Sequence, residues 1–358
     1  MGNKIIIHSK PTLGKKEEIE VVKVIRSGQI AQGKEVALFE KTIANYIGRK
    51  YAIAVNSGLA ALHLSLIALN IKKGDEVILP SYTCDALLNA VLYLAAKPKI
   101  VDVEYDDGNI SPIEIRKNIT RKTKAIIVPH SLGFPAKIDQ IIKFKIPVIE
   151  DCAVSIGAKY KNRKVGSFGK ISTFSFYATK MLTTGEGGMI LTDDKKIVDF
   201  LRELRDYTDH NEFRIRYNYK MADIAAALGI VQLKKLNDFI KKRILLARKY
   251  SQLLKNISGI VLPTYNREES KPVFYRYIVK LLADNPDRIR DRMREKGVIC
   301  GYGVLRPLHQ LLGLSPKYYP ISEKLSKEVI SLPIYPLLGR KDVESICAKF
   351  TKLLKNQR

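Results

Sequence analysis

The sequence predicts an α/β protein: a large, mostly parallel, seven-stranded α/β domain over residues 1–235, then a smaller C-terminal α+β domain over 236–358. Two observations predict it. Between about residue 50 and residue 235, short β-rich runs alternate with helical patterns, the order that βαβ units and a parallel sheet require. A chain of 358 residues is also long enough to build two substantial cores.

The first strand is Tyr51–Val55, followed by the turn Asn56-Ser57-Gly58 and an alanine- and leucine-rich helix through Leu69. Glu76–Pro80 is the next strand, with a helix at about 86–96. Strands at 99–103, 125–130, 147–150, 171–177 and 188–192 complete the seven. Each is a short apolar or β-branched run bounded by turn residues. A long helical pattern then starts at Asp223 and reaches about Leu254. The smaller domain reads as a strand at 274–280, a helix at 288–296 running into Gly297-Val298-Ile299-Cys300, and a last helix at 341–354.

Composition narrows the function classes. Hydrophobic residues make up 46% and charged ones 27%, ordinary for a soluble globular protein. No apolar run approaches the roughly 18 residues that span a bilayer. The opening, residues 1–8, has too short an apolar run for a signal peptide, and Ile6 stands where myristoylation needs Ser or Thr. Cys84, Cys152, Cys300 and Cys347 are widely spread, so neither a disulfide framework nor a zinc site is expected. A cytoplasmic location and no membrane partner follow from these readings. The balance of 62 Lys plus Arg against 36 Asp plus Glu, a net +26, favours anionic partners. The basic residues are scattered (Lys234, Lys235, Lys241, Lys242, Arg243) without aromatic interleaving, which reads as a solvated surface and not as a nucleic-acid interface. Such a potential also suits an anionic substrate such as a nucleotide diphosphate.

Three motifs carry chemistry. Asn56-Ser57-Gly58-Leu59-Ala60-Ala61-Leu62 sits between a strand and a helix, where backbone N–H groups and the helix dipole can cradle phosphate; alone, such a turn is more often just a tight connection. Asp151 ends a buried-looking strand at the sheet edge where ligands collect, though an isolated Asp there is more often a helix cap or a structural salt bridge. Lys180 lies in the least charged stretch, 171–190, five residues after Ser175, whose hydroxyl suits a phosphate oxygen. In this order the three suggest a pyridoxal phosphate (PLP) enzyme. Lys180 would hold the aldehyde as a Schiff base, and Asp151 would keep the pyridine nitrogen protonated so that the ring accepts electrons.

The chain resembles the DegT/StrS family of PLP-dependent sugar aminotransferases over nearly its whole length. The resemblance rests on Ser27-Gly28 with Gly33 and Phe39-Glu40, on 57–64, 123–130 and Glu150-Asp151-Cys152-Ala153, and on 174–189. It continues in Tyr217-Asn218-Tyr219-Lys220-Met221-Ala222-Asp223, Pro307-Leu308-His309 and Ser331-Leu332-Pro333. The resemblance implies fold type I, the aspartate aminotransferase-like architecture. It implies Lys180 and Asp151 as the catalytic pair, and Ser57, Ser175 and the Gly58–Leu59 backbone as phosphate contacts. Asn218 matches a residue that reaches the phosphate in the neighbouring subunit, implying a homodimer with shared active sites. Lys220, Tyr302 and His309 fall on the substrate side; Tyr302 and His309 read equally well as packing residues.

Four positions depart from the family pattern: Leu59 for Thr, Cys84 for an aromatic that stacks on the cofactor, Val154 for a Gln, and Met181 for an Asn. Each lost neutral hydrogen bond is worth about 0.5–1.5 kcal/mol, enough together to weaken cofactor retention. The reaction the resemblance implies moves an amino group from glutamate to a nucleotide-linked keto-sugar, with Lys180 carrying the proton. The departures leave room for aminated-carbocycle synthesis. Sugar dehydration is disfavoured because dehydratase members replace the lysine with histidine. A catalytically idle basic binder on the same fold is the remaining alternative. Loops at 206–216 and 301–319 are expected to choose the sugar.

Overall fold

The computed structural model describes residues 5–208, 211–264 and 269–355. Residues 1–4 of the opening segment and 209–210 of the first expected specificity loop lie outside these. Among the described residues, no helix is long and apolar enough to cross a membrane.

Two amphipathic helices, α1 (Lys15–Ser27) and α2 (Lys34–Ile47), precede the sheet; α2 buries Val36, Phe39, Ile43 and Ile47 on one face and stops at Gly48, whose φ is 91°. The large sheet follows from β1 (Tyr51–Val55), α3 (Gly58–Ala68), β2 (Glu76–Pro80), α4 (Ala86–Leu92), β3 (Lys97–Val101), α5 (Pro112–Asn118), β4 (Thr123–Pro129), β5 (Val148–Asp151), β6 (Ile171–Ser175) and β7 (Gly188–Thr192). Its seven strands lie in the order β1-β7-β6-β5-β4-β2-β3. Strands β6, β5, β4, β2 and β3 pair in parallel, whereas β7 is antiparallel to both its neighbours. Ile53, Leu79, Ile127, Ile149 and Ile171 face α3, α4 and α6 (Lys195–Arg205). Ala54, Phe174, Met189 and Leu191 face α2 and α7 (Asp223–Leu254). Burial on both faces is why these strands read as continuous apolar runs.

Helix α7 runs straight through residue 235, the expected boundary. Its Ala226, Ile230 and Leu236 belong to the core under the large sheet, and Leu246, Tyr250 and Leu254 to a second core. That second core packs around β9 (Tyr277–Leu281), which lies between β8 (Ile260–Val261) and β10 (Val329–Leu332), all antiparallel. It is closed by α8 (Pro286–Glu295), α9 (Pro320–Glu328) and α10 (Arg340–Lys355), through Ile289, Met293, Leu325, Ile346 and Phe350. Ile6 enters from the N-terminal segment and bridges Val298.

Several bounds differ from expectation for local reasons. Strand β3 occupies 97–101, not 99–103, because α4 ends at Leu92 and Ala95 takes a positive φ of 52° in the turn that feeds Lys97. The strand expected at 274–280 begins only at Tyr277. Phe274 adopts φ 51°, and the N–H groups of Val273 and Arg276 donate to the carbonyls of Gly133 and Leu132. Residues 273–276 are therefore held against the β4–β5 connection instead of extending β9.

Candidate active site

The carboxyl ends of β1, β2, β4, β5 and β6 share one edge of the large sheet, where fixed backbone and helix termini meet a crevice. A cavity of about 590 Å³ opens there. Asp151 and Lys180 both line it, with Cys84 and Val154; the sheet side adds Tyr82 and Ser131, and the small-domain side adds Tyr275, Arg276 and the strap Gly303–Arg306. Two residues 29 positions apart in the chain thus meet in one concavity.

Asp151 ends β5, paired with Pro129 and Thr173 on its flanking strands. It is 6% exposed, and its Oδ1 accepts the Ala153 N–H at 3.0 Å. Burial raises its carboxyl above the ordinary value, against the pull of the Ala153 N–H, Lys180 and His130. Behind it, on β5, Glu150 accepts the N–H groups of Gly166, Phe168 and Gly169 and pairs with His130 Nε2 at 3.1 Å. Glu150, His130 and Cys152 cluster closely enough to suggest a metal site. The Glu150 oxygens already hold four donors, however, and His130 Nδ1 accepts the Ala136 N–H, so the cluster is a satisfied brace for Asp151.

Lys180 follows a loop closed on itself by the Phe176 N–H to the Gly187 carbonyl and the Lys180 N–H to the Tyr177 carbonyl. Its Nζ lies 5.7 Å from the centre of the Tyr275 ring. Burial works to raise the Tyr275 phenol, but Arg276, Lys180, a hydrogen bond with Thr179 and Arg243 outweigh it and hold the phenol below its usual value. Tyr275 is fixed from behind by Arg243, a fully buried guanidinium on α7 that donates to the carbonyls of Phe274, Tyr275 and Ile334. Burial holds Arg243 down to about 10. Cys84 opens onto the cavity; the surrounding walls raise its thiol, Asp151 adds to this, and Lys180 opposes it.

The expected phosphate contacts, Ser57, Gly58 and Ser175, are brought together by close backbone approach. Ser57 caps α3, accepting the Ala60 N–H at 3.0 Å. A Cβ at Gly58 would lie 2.8 Å from the Ser175 Cβ and 3.1 Å from its Oγ, so only glycine lets the start of α3 sit against Ser175. A Cβ at Gly188 would lie 2.2 Å from the Ser57 carbonyl oxygen. Thr173 Oγ1, on the same strand as Ser175 and beside Asp151, is buried with no hydrogen-bond partner among the described residues. The residues present therefore fit PLP: a buried carboxylate and a lysine line one cavity, and at the same carboxyl edge of the sheet a glycine-opened helix start meets Ser175 beside the orphaned Thr173 hydroxyl. When bound, PLP supplies an electron sink for the carbon attached to the transferred nitrogen.

The other expected residues stand apart from the cavity wall. Leu59 packs its side chain into the core beneath α3. Met181 is buried among the α2–α7 core residues, so its departure from Asn is filled by packing. Asn218 is exposed, and its carbonyl accepts Asn56 Nδ2 at 3.1 Å, which places its loop against the start of α3. Lys220 Nζ pairs with Asp206 at 2.8 Å. Tyr302 is 41% exposed, with the Arg290 guanidinium 3.7 Å from its ring centre. His309 is fully buried between Ser81 at 2.5 Å and Glu323 at 2.8 Å, stacked on Tyr319; it fastens the end of the strap to the end of β2. Sequence reasoning missed Tyr82, Ser131, Tyr275 and Arg276. The pair Tyr275-Arg276 lay hidden inside a run read as strand.

With this geometry in view, comparison with known proteins is decisive at the family level. A sequence model of the DegT/DnrJ/EryC1/StrS aminotransferase family matches residues 11–351, and the chain belongs to that family. It is a PLP-dependent aminotransferase of fold type I. It is 38% identical to GDP-perosamine synthase of Escherichia coli O157:H7 over 354 residues, covering 94% of this chain and 95% of that protein. The aminotransferase TlmJ of Streptoalloteichus hindustanus superposes with a TM-score of 0.94 at 27% identity, covering 99% of this chain and 100% of that one. The PLP form of the sugar aminotransferase Spr1654, described as putative, from Streptococcus pneumoniae superposes at 0.92 with 25% identity, covering 98% and 99%.

Proposed function

We propose that this chain is a nucleotide-sugar aminotransferase that moves an amino group from an amino acid, glutamate, to the ketone of a nucleotide-linked sugar. The observation that carries the reading is the placement of Lys180 and Asp151 on one cavity whose opposite wall is cationic, with Arg276 and Arg306. The similarity to an enzyme named for a GDP-linked amino sugar supports it. Lys180 Nζ would hold the cofactor and, once freed by the donor amine, would serve as the base that takes the proton from the donor α-carbon. Asp151 holds the ring nitrogen in its protonated form. Ser57, Ser175 and the Gly58–Leu59 backbone hold the phosphate, Cys84 and Val154 flank the ring, and Asn218 reaches the partner subunit's phosphate in a homodimer. Lys220, Tyr302 and His309 act on the substrate side, with His309 working through the strap it anchors.

The test is incubation with glutamate and a panel of UDP-, GDP- and dTDP-linked keto-sugars, read by mass spectrometry. One member of the panel should gain an amino group, and Lys180→Ala should give none. Amination by Lys180→Ala at the wild-type rate would remove the lysine from the reaction.

A further inference from the structure

Arg276 is unlike the other cations around the cavity. Its guanidinium lines the wall, lies 4.8 Å from the Tyr275 ring centre, and is half-buried. Among the described residues it forms no ion pair with a carboxylate. Its side-chain contact is a histidine from the far end of the chain: Nη1 is 2.5 Å from His8 Nδ1 and 3.1 Å from Nε2, and His8 Nε2 in turn meets Ser331 Oγ at 2.9 Å. The fit is specific, since a Cβ at Gly301 would lie 2.4 Å from the His8 ring. Burial, then Arg276 and Arg243, hold His8 down to about 3, so it stays neutral and accepts without cancelling the charge. The arrangement is a cation aimed at the cavity, oriented by a neutral acceptor and left uncompensated.

We propose that Arg276, seated by His8, is the clamp for the α-carboxylate of the amino donor; this rests on the function proposed above. A planar guanidinium fork suits a carboxylate. The Tyr275 ring centre lies 5.7 Å from Lys180 Nζ and 4.8 Å from the Arg276 guanidinium, so an anion held at Arg276 shares the Tyr275 side of the cavity with the amine that exchanges with the donor nitrogen. In an α-amino acid the carboxylate is one bond from the carbon that bears that nitrogen. A nucleotide diphosphate stands a sugar ring away from the reacting carbon. Exposed Arg306, on the strap at the mouth, is better placed for it. Arg276 is thus a binding residue and His8 a positioning residue.

The test uses holoenzyme and two probes: L-amino acids, glutamate first, followed by the loss of the lysine-bound cofactor absorbance, and GDP, followed by calorimetry. Arg276→Gln should raise the glutamate concentration for half-maximal rate by roughly ten- to hundredfold, the value of a charged hydrogen bond, while GDP affinity moves by less than about twofold. Arg276→Lys should fall between. His8→Phe should raise the same concentration several-fold with the maximal rate retained, and His8→Gln, which keeps an acceptor, should recover it. An unchanged glutamate dependence in loaded Arg276→Gln overturns the proposal. A fall in GDP affinity with glutamate unaffected also overturns it and gives the guanidinium to the phosphate. If Arg276→Gln does not load cofactor, the His8 pair decides: no change in either variant overturns the proposal. A wild type inert to every amino acid overturns the aminotransferase reading itself, a failure seen before any variant is made.

Discussion

At the residue scale, burial makes ionised Asp151 costly to the folded protein despite the opposing pull of Lys180 and His130. Burial lifts its folded value above the ordinary 3.8, so the folded apoprotein binds that proton more tightly than the unfolded chain does. Its contribution favours folding at low pH and is lost as pH rises from 3.8 through the raised value. Asp151→Asn removes this loss. The apo variant should melt above apo wild type at neutral pH, by roughly 1–2 °C for each kcal/mol relieved in a chain of 358 residues, with the difference vanishing in acid. Catalysis should fall by roughly 10²–10⁴-fold in the same variant, because a neutral amide does not hold the ring nitrogen protonated. Calorimetry and turnover measured together check both signs; equal melting at pH 4 and pH 7 would contradict the assignment. The four family departures separate at this scale too. Cys84 and Val154 line the cavity, Met181 is buried in a core, and Leu59 packs partly buried against the core beneath α3.

At the scale of elements, the phosphate end depends on two glycines of different kinds. Gly58→Ala brings a methyl against the Ser175 side chain, which moves at an overpacking cost of about 1–3 kcal/mol. The variant should stay folded but release PLP roughly ten- to hundredfold more readily, as dialysis and circular dichroism together would record. Gly188→Ala meets backbone at Ser57 and should lose the fold along with the cofactor. These elements were legible in the sequence wherever the signal was local. Tyr51–Val55, Glu76–Pro80 and Gly188–Thr192 stand as read, because each is a short apolar run bounded by turns. Asp151 and Lys180, singled out by residue type and by their places at and shortly after strand ends, do line one cavity. The opposite wall was not legible. Tyr275 and Arg276 reach the cavity through a left-handed Phe274, hydrogen bonds to the β4–β5 connection, Arg243 from α7 and His8 from the N-terminus. Those contacts join residues 30 to 270 positions apart, and no periodicity encodes them.

For the molecule as a whole, the basic balance and the exposed Asn218 each have a measurable consequence. If the substrate is the anionic sugar nucleotide proposed above, a net +26 would steer it toward the site, and the predicted salt dependence is a falling kcat/KM at unchanged kcat. If Asn218 completes the partner's phosphate site, a dimer of Lys180→Ala with Asn218→Asp has one intact site. Mixing the two inactive variants should then restore about a quarter of wild-type activity. No recovery on mixing would confine each site to a single chain.

The central claim is that Lys180 carries the cofactor, and borohydride reduction of the PLP-loaded protein followed by peptide mass mapping tests it most directly. The account predicts a pyridoxyl adduct on Lys180, absent when Lys180→Ala is treated in the same way. An adduct on another lysine, or none on a protein that binds PLP, would contradict it.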